Sequence, residues 1–376
     1  MSTEPPWQPL EKMPCASGPT LGSGVIRTTP DDFQVDEILG FEPDGGGEHL
    51  LLHVKKRQTN THWLAGQLAR LAGIPGNDVS YAGMKDRHAV TTQWFSLRMA
   101  GRPEPEWGQL ESDLVEILQV HRHRRKLRRG ALRGNRFQIR IRDLSVDKKE
   151  LVRRLTLLRE LGMPNYFGEQ RFGHDYQNLT LAEQLFSRTR PQMKRQMRGL
   201  VISAVRSQLF NQVLAERIEQ GCWNMPLQGD YFKLDGSRAG FADEPEQSAD
   251  LSRRCQLQDI HPSGPMWGRG RPLVSGQAAE LEAKVLLDFE AWRHGLEFVG
   301  LEQERRPLRI RLHDLAWQFG GDGCLELSFF CLQGASLRYC CVNWSTIDRI
   351  CCRPFWVNRN NLFFFAFYPL IEYPEE

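Results

Sequence analysis

The sequence predicts a mixed α+β (α/β) fold with a largely antiparallel sheet. Two patterns carry this reading. Short apolar runs bounded by glycine and polar turns alternate with segments of helical spacing. Around Phe137 a strand alternates apolar and basic residues, as a strand with one buried and one solvated face does. Length adds a third consideration, because 376 residues suit two domains or one large domain carrying an insertion.

Taken in order, Gly47 to Lys55 is an apolar run behind a glycine cluster and predicts a strand. Asn60 or Thr61 caps a helix carrying Trp63, Leu64, Leu68 and Leu71, which stops near Gly73. Val79 to Ala82 and Thr91 to Met99 are strands flanking a turn. Phe137, Ile139 and Ile141 then alternate with Gln138, Arg140 and Arg142, and a helix over Leu151, Val152, Leu155, Leu158 and Leu161 ends at Gly162. A second unit begins near Pro164. Its long helix runs from Leu200 to Gly221, with Val201, Val205, Phe210, Val213 and Leu214 as the apolar set. Proline and glycine cluster at Ile260 to Pro272 and predict a loop. Gln277 to His294 is helical, and Leu308 to Leu312 and Cys324 to Phe330 return to strand character, so the chain is expected to re-enter the first sheet.

Composition is that of an ordinary globular protein, 40% hydrophobic and 25% charged, which excludes wholesale disorder. Met1 to Pro14 has no apolar core of a secretory signal. The longest apolar stretch, Leu362 to Ile371, is shorter than the roughly 20 residues a membrane span needs. A cytoplasmic protein without a membrane partner is expected. The net charge of +3 hides a segment, Arg122 to Arg142, with ten Lys or Arg and no acid. Without it the chain holds 39 basic and 46 acidic residues, a net of -7. Cations at that density suit a polyanion, since each one that neutralises a phosphate releases counterions. The alternative is a solvated loop or helix face; a basic membrane-surface helix is disfavoured by its few aromatic and leucine anchors.

Tyr81 to Gln93 sets Asp86 between Lys85 and Arg87, just after a short strand. Cations on both sides favour an ionised carboxylate, suited to act as nucleophile or base rather than acid. Lys-Asp in a glycine turn is also a common structural feature. Asn165-Tyr166-Phe167-Gly168-Glu169-Gln170-Arg171-Phe172-Gly173 crowds aromatics, amides and an arginine between glycines. Such groups hold an unstacked base; a core loop with a buried Glu-Arg pair is the competing reading.

In this order the pieces resemble the TruD family of tRNA pseudouridine synthases, from about Gly18 to Phe330. The matching blocks are Arg27 with Pro30-Asp31-Asp32-Phe33-Gln34-Val35-Asp36-Glu37, Gly83-Met84-Lys85-Asp86, and Arg124-Arg125-Lys126-Leu127-Arg128-Arg129-Gly130 leading to Gly134-Asn135-Arg136-Phe137. Pro164 to Gly173 and Ser203 to Glu216 continue the match. The resemblance implies a pseudouridine synthase-type catalytic domain over residues 1–163 and 308–345, with an α/β TRUD domain inserted at 164–307. It implies isomerisation of uridine to pseudouridine in tRNA, at position 13, with tRNA as partner and no cofactor or metal. By position it makes Asp86 the catalytic aspartate, Arg27 its basic partner and Phe33 an aromatic wall against the base. Asn135 sits where the family contacts the target nucleotide, and Lys85 and Phe137 join it as substrate-binding residues. Arg124, Arg125, Lys126, Arg128 and Arg129 would hold the RNA backbone, with residues 165–173 near the site.

After Phe330 the resemblance stops. The family continues with Leu-Pro-Ala-Gly-Ser-Phe-Ala-Thr and then a helix containing Leu-Arg-Glu-Leu, whereas this chain continues Cys331-Leu332-Gln333-Gly334. Reverse translation in the alternate frame, taking the last base of each codon with the first two of the next, can spell that family segment. The junctions Phe330/Cys331, Tyr339/Cys340, Cys340/Cys341 and Asn343/Trp344 each force leucine. A slip of the reading frame near Phe329-Phe330-Cys331 is therefore expected, making 331–376 an out-of-frame tail; sequencing error, gene decay and recoding all produce it. That accounts for a tail with five of the nine cysteines, ten of the 37 aromatics and no lysine. Cys340-Cys341 and Cys351-Cys352 lack zinc-knuckle spacing, and structural disulfides do not suit a cytoplasmic enzyme. Loss of the family's pocket phenylalanine and closing helix raises one alternative function, a catalytically impaired tRNA-binding protein.

Overall fold

The computed structural model describes residues 6–128, 130–186, 192–243 and 248–332. Arg129 and residues 333–376, which hold nearly all of the expected out-of-frame tail, lie outside the described residues. The first half contains β1 (Ser23–Ile26), β2 (Phe33–Leu39), β3 (His49–Arg57), α1 (Thr61–Leu71), β4 (Val79–Tyr81), β5 (Val90–Arg98), β6 (Val115–His123), β7 (Leu132–Ser145) and α2 (Lys148–Leu161). The second half contains β8 (Met163–Pro164), α3 (Gln177–Phe186), α4 (Arg195–Glu219), β9 (Tyr231–Leu234), β10 (Gly240–Ala242), α5 (Ser248–Gln256) and β11 (Ile260–Met266). It ends with α6 (Gly276–Val285), α7 (Glu290–Phe298), β12 (Glu304–Pro307), β13 (Arg309–Ile310), β14 (His313–Phe319) and β15 (Leu325–Leu332).

Local chemistry explains the boundaries. Asn60 caps α1 by accepting from the backbone N–H groups of His62 and Trp63, and Asp147 caps α2 through Glu150 N. Gly162 ends α2 at φ 79°, a conformation that favours glycine. β7 buries Phe137, Ile139 and Ile141 and turns Gln138 outward, the alternation its sequence predicts.

The main sheet has nine strands among the described residues, ordered β14-β15-β7-β2-β5-β3-β6, with β1 on β7 and β4 on β5. The chain does re-enter this sheet, as β14 and β15. Every pairing in the sheet is antiparallel except β2 with β5. That one parallel pair positions the site. Gln34 lies opposite Val90, so the residues leading into β2 and those leading into β5 arrive at the same edge. β3 runs against β5, and Arg57 opposite Val90 brings the end of β3 there too.

A second sheet, β10-β9-β11-β12, packs beside the helical core of α3, α4, α6 and α7. Three expectations are corrected here. Ile260 to Met266 is a buried strand, not a loop. Pro262 and Gly264 read as loop residues, yet the Pro262 carbonyl accepts from Leu308 N, and a Cβ on Gly264 would meet Leu308 and Phe210 at 2.9–3.0 Å. Close approach from the helical core thus accounts for the glycine. Residues 277–294 form two helices, because a 3₁₀ turn at Leu287–Phe289 interrupts the pattern and brings Phe289 onto Trp292, ring centroids 5.3 Å apart. The strand expected at 308–312 is only the two-residue β13, paired with β8. There Arg309, 2% exposed, bonds the carbonyls of Cys255 and Ile260 and His261 Nδ1. Such a buried guanidinium needs its many donors satisfied, and local sequence does not reveal those partners.

Candidate active site

Residues 82–89 link β4 to β5 and carry Asp86. Arg27, just past β1, reaches the same edge, and its Nη2 lies 2.9 Å from Asp86 Oδ2. The Asp86 side chain is 48% exposed, so one face of the carboxylate remains open to a ligand. Arg27 adopts φ 60°, an uncommon backbone for a non-glycine residue. Its guanidinium carbon stands 4.2 Å over the Phe33 ring, which is itself only 1% exposed. The turn before Phe33 is fixed by a capping box between Thr29 and Asp32. Asp32 is buried, and Arg142 donates to both its oxygens at 2.7–3.0 Å. Burial works to raise the Asp32 carboxyl, but Arg142 and the Thr29 N–H outweigh it and hold the group below the usual carboxylate range. Asp31 is held low by its two-pronged bond from Arg57, at the end of β3.

The Asp86 loop is pinned from beneath. Gln93 Nε2 donates to Gly83 O at 2.5 Å, Thr61 Oγ1 accepts from Lys85 N at 3.1 Å, and Lys56 Nζ donates to Asp86 O at 3.0 Å. Lys85 turns its ammonium onto Glu37 Oε1 at 2.5 Å, and Glu37, fully buried, also accepts from Trp94 N at 2.9 Å. Lys85, expected among the substrate-binding residues, thus makes an ion pair within the protein.

Asn135 and Phe137 lie on β7 opposite Glu37 and Val35. Asn135 is 7% exposed, and its Oδ1 has no hydrogen-bond partner among the described residues. A buried acceptor left open is one a bound group can satisfy. Phe137 is buried and stacks on Phe329, centroids 5.1 Å apart.

The centre of the basic segment, residues 124–131, connects β6 to β7. Leu127 anchors it, buried and bonded through its backbone to Ser96 and Ser80, while Arg124, Arg125, Lys126 and Arg128 are exposed around that anchor. It is therefore a loop, with Lys126 Nζ also donating to Asn77 O. Leu132 lies opposite Leu39, at the far end of β2 from Phe33. Seven residues of β2 at about 3.3 Å each separate the two ends by roughly 20 Å along the strand.

Residues 165–173 fold as a core loop. Tyr166, Phe167 and Phe172 are buried, Phe167 packs edge-on against Phe210, and the Arg306 guanidinium carbon stands 4.1 Å over the Phe167 ring. Asn165 donates to Pro307 O and accepts from Arg306. Arg171 is half-buried beside Ser203, Gly173 adopts φ 78°, Gly168 precedes a 3₁₀ turn, and Gln170 is exposed. Glu169 is exposed, so the buried Glu-Arg pair of the competing reading is corrected: the core here has no need of a buried Glu169. Glu37 and Lys56, absent from the expected site, hold its loop together with Thr61 and Gln93. The signal was present in the sequence, as charged residues at core-facing strand positions. Among the described residues no three His, Cys, Asp or Glu side chains are grouped to hold a metal ion, and no helix is long and apolar enough to cross a membrane.

The family model for tRNA pseudouridine synthase D (TruD) matches residues 15–188 and 176–335. A tRNA pseudouridine synthase D of Methylococcus capsulatus is 48% identical over 329 residues, covering 88% of this chain and 93% of the relative. One from Nitrosococcus oceani is 49% identical over 302 residues, covering 80% and 84%. The crystal structure of an assigned TruD from Methanosarcina mazei superposes with a TM-score of 0.69 at 21% identity, over 90% of this chain and 95% of that one, and shows the shared fold. These relatives favour an isomerase over an impaired tRNA binder. The chain belongs to the TruD family of tRNA pseudouridine synthases.

Proposed function

We propose that Asp86 is the nucleophile with which this enzyme isomerises uridine to pseudouridine in tRNA, at position 13. The supporting observation is the half-exposed Asp86 carboxylate, paired with Arg27 at 2.9 Å on a loop whose backbone is held by buried side chains. A carboxylate so held is pre-aimed, which is how positioning lowers a barrier. In the reaction the base–sugar bond at N1 breaks, the uracil turns, and C5 bonds to the sugar. The C5 hydrogen leaves as a proton, N1 gains one, and the carboxylate departs unchanged. Atoms and electrons balance without a redox partner.

The target base leaves its stack at a cost of a few kcal/mol, and an aromatic contact worth about 1–3 kcal/mol offsets part of this. The Arg27 guanidinium lies over the Phe33 ring; a base stacks on it once the guanidinium moves aside. Asn135 Oδ1, without a hydrogen-bond partner among the described residues, is an acceptor for the uracil N–H. Phe137 supports this wall from the core, and Lys85 acts through its hold on Glu37. Arg124, Arg125, Lys126 and Arg128, with Arg129, bind the phosphate backbone some distance from the reacting base. Residues 165–173 belong to the inserted domain, which we assign to 164–307 within a catalytic domain of 1–163 and 308–345. A cytoplasmic location follows from tRNA as substrate.

The test uses tRNA labelled with tritium at uridine C5. Release is expected from tRNA with uridine at position 13 and is lost when cytidine replaces it, whereas Asp86→Asn abolishes release and retains tRNA affinity. Equal release from the cytidine-13 tRNA overturns the position, and wild-type-like release by Asp86→Asn overturns the nucleophile.

A further inference from the structure

Three backbone groups of the Asp86 loop face the interior, and their partners differ in kind. Gln93 and Thr61 are neutral. The third partner, Lys56, is an ammonium with 0% exposure, donating to Asp86 O at 3.0 Å and to Thr59 O at 2.7 Å. Among the described residues no carboxylate lies within ion-pair distance of it. A buried cation without a counter-ion is costly, and a neutral amide would bond the same two carbonyls, as Gln93 does for Gly83. Retaining a charge there calls for a reason other than satisfying carbonyls.

Position supplies one. Lys56 lies opposite Thr91 on β5, one residue from the edge where Arg27 meets Asp86. The charged groups facing it are Asp86 and Glu37, which favour the ammonium, and Lys85, which opposes it. We propose that Lys56 is a positioning residue for the reaction: its charge holds the Asp86 carbonyl and, through that peptide, the aim of the Asp86 carboxylate. The proposal rests on the reading of Asp86 as nucleophile.

Burial is the leading influence on Lys56 and brings its pKa down to about 8. The neutral amine keeps two N–H donors for the same carbonyls. It loses the charge that makes such bonds roughly twice as strong. Turnover should therefore decline as pH rises through that value, with little change in tRNA binding.

Single-turnover pseudouridine formation at saturating tRNA and tRNA Kd are measured from pH 7 to 9 for wild type, Lys56→Met, Lys56→Arg and Asp86→Asn. At pH 7, Lys56→Met is expected to lose about tenfold or more in rate, since a small misplacement can cost up to about a hundredfold, while Kd stays within about twofold. Wild type loses rate with an inflection near the Lys56 value, and Lys56→Arg, which stays charged, does not. Titration of the uracil is common to both and cancels in their ratio. A folded Lys56→Met with wild-type turnover beside an inactive Asp86→Asn overturns the role of Lys56 alone. An active Asp86→Asn overturns the nucleophile reading beneath it. Should neither Lys56 variant fold, the wild-type profile decides, an inflection near pH 8 supporting the proposal and a level rate, or a decline that only follows the uracil's own titration, contradicting it.

Discussion

Removing Glu37 strands two groups at once. Its side chain is fully buried, with Oε1 at 2.5 Å from Lys85 Nζ and Oε2 at 2.9 Å from Trp94 N. In Glu37→Leu the Lys85 ammonium, 10% exposed, loses its carboxylate, and the Trp94 N–H loses its acceptor. Breaking one side of a buried ion pair costs about 3–5 kcal/mol. A buried N–H left unmade costs about 1–3 kcal/mol. The sum, about 4–8 kcal/mol, is comparable with the whole stability of a typical domain, about 5–15 kcal/mol. Glu37→Gln keeps an acceptor for Trp94 and should cost only the first contribution. Adding Lys85→Met to Glu37→Leu removes the stranded charge, so the double variant should be more stable than the single one, retaining mainly the Trp94 penalty. Urea unfolding at pH 7 of the wild type, these three variants and Lys85→Met alone measures each difference. A Glu37→Leu loss under about 1 kcal/mol, or a double variant whose loss equals the sum of its singles, refutes the buried-pair account.

Other outcomes follow from the same geometry. Arg124→Ala with Arg125→Ala should weaken tRNA binding, flatten the dependence of log K on log salt by about 1 for each phosphate no longer neutralised, and leave saturated turnover within about twofold; titrations at several salt concentrations measure it. Asn135→Leu removes a buried acceptor that has no described partner, so a thermal melt should show stability at least equal to wild type, while turnover drops. Asp32→Asn should destabilise by about 1–3 kcal/mol at pH 7, read by urea unfolding across pH. Because the folded Asp32 carboxyl is held below its usual value, its contribution is present above about pH 4 and disappears as pH falls through the folded pKa, so the two proteins should converge in acid.

Much of the first sheet was legible because its strands obey simple alternation. In β3, Leu50, Leu52 and Val54 occupy one face, and the same period places Lys56 among them. In β2, Phe33, Val35 and Glu37 do likewise. A charge on a core-facing position marks a buried ion, so both missed residues had a signal. The partners of those ions were not legible, since Glu37 meets Lys85 and Trp94 only through the order of strands. Arg27 and Asp86 are 59 residues apart and meet because β2 and β5 are parallel neighbours in an otherwise antiparallel sheet. Pairing order leaves no local trace; the resemblance of the blocks pointed to that contact. In β11, Pro262, Gly264 and Pro265 argued for a loop, and the burial that makes them a strand comes from α4 and Leu308 packing against it. The aromatics of 165–173 suited either a base or a core, and composition could not separate the two; the structure shows the core.

Tritium release from C5-labelled tRNA by this chain and by Asp86→Asn, at equal occupancy of tRNA, tests the central claim most directly. Stoichiometric release by the wild-type chain and none by the variant is the expected result. Release by both, or by neither when each binds tRNA, contradicts the assignment of Asp86 as the nucleophile of an active uridine isomerase.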